Sequence, residues 1–209
     1  DGKTVIENVI SLSKSVDEAM EFYREHPDET LIIVTADHET GGLSMGHALS
    51  KYDTEYAYLL AQEISSQNFT LLADSLFNIE ANQNLGFAMQ LVEDYFGLGG
   101  SQGIPLNDYE QGLLEEAYFV STAELDIDNN EAYVKYGGYY PLVATAIKVL
   151  NSKAGLAWTT WSHTGINVPV YAIGAGAEAF TGKYDNTDIP KKIAKSMGLE
   201  IEDNQPKLN

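Results

Sequence analysis

Histidine is scarce in this sequence: there are four, His26, His38, His47 and His163, and His38 follows an aspartate directly. Asp37 and His38 come at the end of the apolar run 31–36 and are followed by Gly41-Gly42. A carboxylate oxygen and an imidazole nitrogen are both good ligands for Zn²⁺. The pair has two readings on its own: metal ligands at a strand end, or a hydrogen-bonded loop pair. The loop pair is the commoner case, and the buried run before it and the glycines after it bring the first reading level with it, because glycine permits close backbone approach. His163 lies in the segment 158–165, Trp-Thr-Thr-Trp-Ser-His-Thr-Gly. Alone it reads as a hydrogen-bonded loop residue. His26 precedes Pro27 and reads as solvated, while His47 is a weaker candidate for a further ligand near His38.

Two other patterns carry less. The acidic run 126–131 has some look of a calcium loop, but Glu131 stands where the sixth-position glycine is required. Ser101-Gln102-Gly103 follows a glycine pair but lacks the lysine of a phosphate-binding loop.

The elements that position these residues are legible from periodicity. Ser15 with Glu18 reads as a capping box opening a helix, with Val16, Ala19, Met20 and Tyr23 at helical spacing. That helix should end at His26-Pro27. The run 31–36 reads as a strand covered on both faces in a parallel sheet, and chemistry in open α/β sheets collects at the carboxyl ends of strands. From about residue 51 to 153 the texture becomes helical. Helices are expected around Tyr56 to Ile64, around Phe87 to Tyr95, after an Asn107/Glu110 cap, and over residues 140–150, with a glycine-rich break at 97–103. Residues 168–173 read as a second strand, with Pro169 suiting its start. Asn186-Thr187-Asp188 should cap a last helix with Pro190 in its first turn. The tail from Glu200 is polar and is expected to fray.

Composition sets outer limits. The 209 residues include 31 acids and 12 bases, a formal charge of −19, which argues against nucleic-acid binding. An anionic substrate would then need a local cationic field, and bound metal ions are the obvious source. There are no cysteines, so thiolate metal sites are excluded. No apolar run is long enough to span a bilayer, and no signal-like segment leads the sequence.

Three motifs together resemble one family. Thr35-Ala36-Asp37-His38-Glu39-Thr40-Gly41-Gly42 closely resembles a motif of the alkaline phosphatases. Ser162-His163-Thr164-Gly165, then the run 168–172, then 182–189 (Gly-Lys-Tyr-Asp-Asn-Thr-Asp-Ile) resemble that family's closing section. The resemblance covers about residues 1–44 and 155–198. It implies an α/β fold: part of a mainly parallel sheet with flanking helices, with residues 45–155 as a mostly helical insert within one domain 1–209. It implies that Asp37 and His38 bind the zinc that activates a serine nucleophile, and that His163 binds a second zinc at the leaving-group oxygen. The implied activity is hydrolysis of phosphate monoesters through a phosphoserine intermediate, with two zinc ions and a magnesium ion. A homodimer and a periplasmic or extracellular setting come with the same resemblance, and the insert is expected to shape substrate access.

The sequence also departs from the family pattern. Nothing in it matches the nucleophilic serine, the phosphate-clamping arginine, the first metal-binding aspartate or the remaining ligands of the second zinc. Arg24 is the only arginine. Thr40 stands where some members carry a second histidine. A zinc site needs about four ligands, so the stretch by itself is expected to bind zinc weakly and to turn over nothing. Two alternatives are a superfamily relative such as a phosphodiesterase, and a non-catalytic binding module; a half-sheet with an unpaired edge argues against the latter.

Overall fold

Chain contacts divide the protein into two units, each described by itself: residues 1–9 with 41–162, and residues 10–40 with 163–209. The computed structural model describes residues 1–50, 52–123 and 125–199, so the expected fraying of the tail from Glu200 lies outside the described residues. One helix, α1 (Gly2–Glu25), contributes its first two turns to the first unit and the remainder to the second.

The first unit is helical. Its centre is α6 (Pro141–Ala154), with Leu142, Val143, Ala146, Ile147, Leu150 and Ala154 all buried. A helix apolar on most of its surface is an interior helix. It is framed by proline at its first position and by Gly155 in the left-handed region, φ 85°, at its end. Around it stand α2 (Ser66–Phe77), α3 (Leu85–Phe96), α4 (Asp108–Ser121) and α5 (Asn129–Tyr136). Phe69, Phe96, Leu98, Leu114, Tyr118 and Leu150 make the shared core, and each such side chain contributes roughly 1.5–3 kcal/mol by leaving water.

Polar devices fix the helix ends. Asn107 and Glu110 form the expected capping box on α4, each accepting the other's backbone N–H at 2.9 Å. The same Glu110 oxygen receives Lys153 Nζ from α6 at 2.7 Å, with little of either side chain exposed. Asp1 serves two helices: Oδ1 accepts Thr4 N of α1 and Gln62 Nε2, while Oδ2 accepts Ser66 N of α2. Two-residue strands β2 (Ser44–Met45) and β3 (Leu156–Ala157) pair antiparallel. The stretch 41–162 of this unit begins and ends side by side, because Gly41 O accepts both Thr159 N, at 2.9 Å, and Thr160 N, at 3.2 Å.

Gly137 ends α5 with φ 66°, and a Cβ built there would lie 2.4 Å from the Trp161 ring. That ring packs by Ala117, Tyr136 and Ala144 and donates its indole N–H to Val134 O at 3.1 Å. Gly137→Ala is therefore expected to cost about 2–4 kcal/mol, from left-handed strain plus displacement of the ring. Urea unfolding followed by tryptophan fluorescence reads both the loss and the ring's new environment; a change below about 0.5 kcal/mol would refute the close approach.

The second unit holds the rest of α1, then β1 (Leu31–Val34), β4 (Tyr171–Gly174) and α7 (Asp188–Ser196). Helix α1 is longer than its sequence signature. The Ser15/Glu18 pattern is not a helix start: Ser15 lies mid-helix and its hydroxyl turns back to Ser11 O at 3.2 Å. A Ser/Thr back-bond of this kind is the ordinary use of the residue inside a helix.

The sheet also differs from expectation. Strand β1 pairs antiparallel with β4, Leu31 opposite Gly174 and Val34 opposite Tyr171. Among the described residues the strand pairs are short and antiparallel, and the parallel contact is the isolated bridge Leu98–Ile104. An all-apolar run such as 31–34 fits either kind of ladder, so composition did not decide direction. All four β1 residues are half-buried rather than covered on both faces. Gly174 is required at its position: its φ is 102°, a Cβ there would meet Thr30 O at 2.0 Å, and Ala175 N donates to that same oxygen at 2.9 Å. Pro169 lies ahead of β4, where its missing N–H costs no ladder bond. No helix among the described residues is long and apolar enough to cross a membrane.

Candidate metal centre

The antiparallel pairing of β1 with β4 assembles the site. Since Val34, the last residue of β1, faces Tyr171, the first of β4, the segment after β1 lies beside the segment before β4. Thr35 Oγ1 donates to Pro169 O at 3.1 Å across that junction. Asp37 and His38 are on one segment and His163 is on the other, so residues far apart in sequence meet within the second unit.

His38 and His163 stack, with ring centroids 3.6 Å apart and planes 28° from parallel. His38 Nδ1 lies 2.9 Å from Glu39 O. A carbonyl oxygen only accepts, so Nδ1 carries a proton, and a metal-bound ring would use its Nε2 lone pair. That Nε2 faces Asp37 Oδ2 at 3.3 Å, while Asp37 Oδ1 accepts His38 N at 3.0 Å. Between such a carboxylate oxygen and ring nitrogen either a proton or a metal cation can sit. Donors about 2.0–2.1 Å from a tetrahedral Zn²⁺ stand about 3.3 Å apart, so the pair fits zinc in both chemistry and spacing. The side chains are accessible, 84% exposed for Asp37 and 42% for His38. The set is incomplete: among the described residues no three His, Asp or Glu side chains are arranged to hold one ion.

A shallow open depression beside Asp37 is lined by Thr35, Ala36, Asn186, Thr187, Ile189 and Pro190, the last two in the first turn of α7 and the two before them leading into it. Asp185 orders that start. Its carboxylate accepts Thr187 N at 2.9 Å and Thr187 Oγ1 at 2.8 Å, and the backbone bond first, then the hydroxyl, holds its carboxyl below the ordinary range.

The residue after each candidate ligand was missed in the sequence. Glu39 Oε2 accepts Thr164 N at 3.1 Å and also the Thr164 hydroxyl. Their place directly behind His38 and His163 was the available signal. His26 is exposed and lies by the Phe22 ring. His47 belongs to the helical unit, where Nδ1 accepts Leu49 N at 3.1 Å and Nε2 is 3.4 Å from Ser152 Oγ. Nε2 therefore carries the proton and donates to Ser152, whose hydroxyl donates to Lys148 O at 2.7 Å. That polarity is opposite to a base activating a serine. Trp158 packs against the helical core, and Tyr139 contacts Trp161 with ring centres 5.9 Å apart.

Comparison with known proteins is consistent along the chain. The alkaline phosphatase family model matches residues 1–199. Alkaline phosphatase 3 of Bacillus subtilis (strain 168) is 31% identical over 176 residues, 84% of this chain and 32% of that protein. An alkaline phosphatase of Schizosaccharomyces pombe is 24% identical over 178 residues, 85% of this chain and 29% of that one. Among solved structures, a cold-active alkaline phosphatase from a psychrophilic Shewanella sp. superposes with a TM-score of 0.61 at 26% identity, covering 93% of this chain and 40% of that one. The chain thus spans about a third of the length of the curated relatives it matches. With the family model matched from residue 1 through residue 199, the chain belongs to the alkaline phosphatase family.

Proposed function

We propose that this chain carries part of the two-zinc centre of a phosphatase that hydrolyses phosphate monoesters. The observation that supports this most is the facing pair Asp37 Oδ2 and His38 Nε2, 3.3 Å apart with the tautomer set by Glu39 O. Asp37 and His38 would hold one zinc and His163 the other. Rings stacked at 3.6 Å suit ligands of two ions, since paired metals in such sites stand about 3.5–4 Å apart. When bound, the ions clamp the attacking and departing oxygens of an in-line displacement and offset charge on the phosphoryl group. The chain's own residues hold these donors: Asp37 supplies negative charge, and the two imidazoles supply neutral nitrogen. In so acidic a protein, formal charge −19, the metals would also be what draws a phosphate ester in.

The nucleophilic serine, whose phosphorylated form is the intermediate of this reading, is assigned to no residue of this chain; neither are the magnesium ligands. Three donors for two ions are too few, since each zinc takes about four. The 209 residues alone are therefore inactive in this reading, and residues 45–155 are an insert within one domain. A homodimer and an exported, periplasmic or extracellular protein complete the proposal.

The test is zinc content measured together with turnover of an aryl phosphate monoester, on these 209 residues and on the full-length protein. The expected result is two zincs and turnover in the long chain, and neither in the short one. Stoichiometric zinc or clean turnover in the short chain would overturn the division of the centre proposed here.

A further inference from the structure

We infer that Glu39 is a positioning residue for the metal centre, binding the two ligand-bearing segments to each other; this rests on the function proposed above. Its two ends act on different ligands. The backbone carbonyl accepts a hydrogen bond from His38 Nδ1–H at 2.9 Å, which would leave Nε2 to coordinate the metal. The carboxylate takes two bonds from Thr164, the residue after His163, through N at 3.1 Å and through the hydroxyl. Glu39 and Thr164 are 125 residues apart in sequence and both are half-buried. Bonds to a carboxylate are shorter and roughly twice as strong as neutral ones. One side chain thus sets how closely His163 approaches His38, and the ring stack at 3.6 Å is the outcome.

The groups concerned fit a supporting role rather than ligation. Glu39 Oε2 has two donors from Thr164 aimed at it, so that oxygen is committed to the link. Threonine at 164 supplies a hydroxyl in addition to the backbone N–H that any residue but proline would offer. Removal of an outer partner of this kind ordinarily lowers metal affinity 10–100-fold.

The experiment uses the full-length protein and reads zinc dissociation constants by chelator competition, together with thermal stability. Glu39→Ala is expected to weaken zinc binding about 10–100-fold. Thr164→Val, which keeps shape and loses only the hydroxyl, should lose less in the same direction, and Thr164→Ser should restore it. Glu39→Gln retains an oxygen acceptor and should recover part of the affinity. Because the two residues act as one link, Glu39→Ala with Thr164→Val should be no worse than Glu39→Ala alone. Zinc affinity unchanged in Glu39→Ala, with only the melting temperature lowered, overturns the inference. So do losses from the two substitutions that multiply. If instead the triple variant Asp37→Ala/His38→Ala/His163→Ala binds zinc like the parent, the metal centre itself is misplaced and the role of Glu39 falls with it.

Discussion

His163→Ala in the full-length protein is expected to leave one tightly bound zinc in place of the two proposed for the parent, and to lower turnover more than about 100-fold. The figure is a lower bound, because outer partners alone are worth 10–100-fold and His163 would touch the ion directly. His38→Ala and Asp37→Ala should each also leave one zinc, but the other one. Combining His38→Ala with His163→Ala should strip both. The reasoning rests on the stack: the two imidazoles are 3.6 Å apart, yet it is the His38 Nε2 that Asp37 faces. Elemental analysis of dialysed protein, paired with initial rates, checks it. Two zincs retained in His163→Ala would show that His163 is a loop residue after all. One zinc lost with turnover intact would leave the chemistry elsewhere.

Glu110→Ala is expected to destabilise the helical unit by about 4–5 kcal/mol. Breaking a buried ion pair by removing one partner costs about 3–5 kcal/mol because the other charge is left unpaired. Here the Lys153 side chain keeps 16% exposure and Glu110 8%, which favours the lower part of that range. The capping box adds about 1 kcal/mol, since Asn107 N loses its acceptor. Far-UV dichroism during urea unfolding follows this unit, which contains most of the helix. Lys153→Met in the Glu110→Ala background should recover much of the loss by removing the stranded charge. A loss under 1 kcal/mol, or no recovery in the double variant, would mean that water already screens the pair.

The parts of this architecture that were legible in the sequence are those whose causes are local. Asn107 three residues before Glu110 is a helix start that needs nothing from elsewhere, and it formed as read. Pro141 and Gly155 bracket α6 for the same reason. Ser15 and Glu18 have the same spacing and failed, because the helix already runs from Gly2, capped by Asp1. Capping patterns cannot report whether a helix is under way. Helix α2 was missed, since its N-cap Ser65 follows a 3-10 turn, Tyr56–Ala61, that carries similar apolar spacing. Strand direction was not legible at all: pairing of Val34 with Tyr171 is set by residues 137 positions apart. For the site, the motifs pointed to Asp37, His38 and His163 as candidates, but not to the Glu39–Thr164 link, which exists only once two distant segments meet.

The junction at Gly41 bears on the order in which the molecule forms. Bringing the Glu39 and Thr164 segments together from an open chain of 125 residues costs about 4 kcal/mol in closure entropy. Gly41 O already holds Thr159 N and Thr160 N, so a folded helical unit delivers its two ends to one place and leaves a tether of only a few residues. Most of that entropic cost is then met by a unit rich in short-range contacts, the kind that forms fast. Strands β1 and β4 would zip afterwards, almost as a hairpin. During synthesis the histidine pair would therefore be the last part to mature, and any lesion that delays the helices would delay metal capture without touching a ligand.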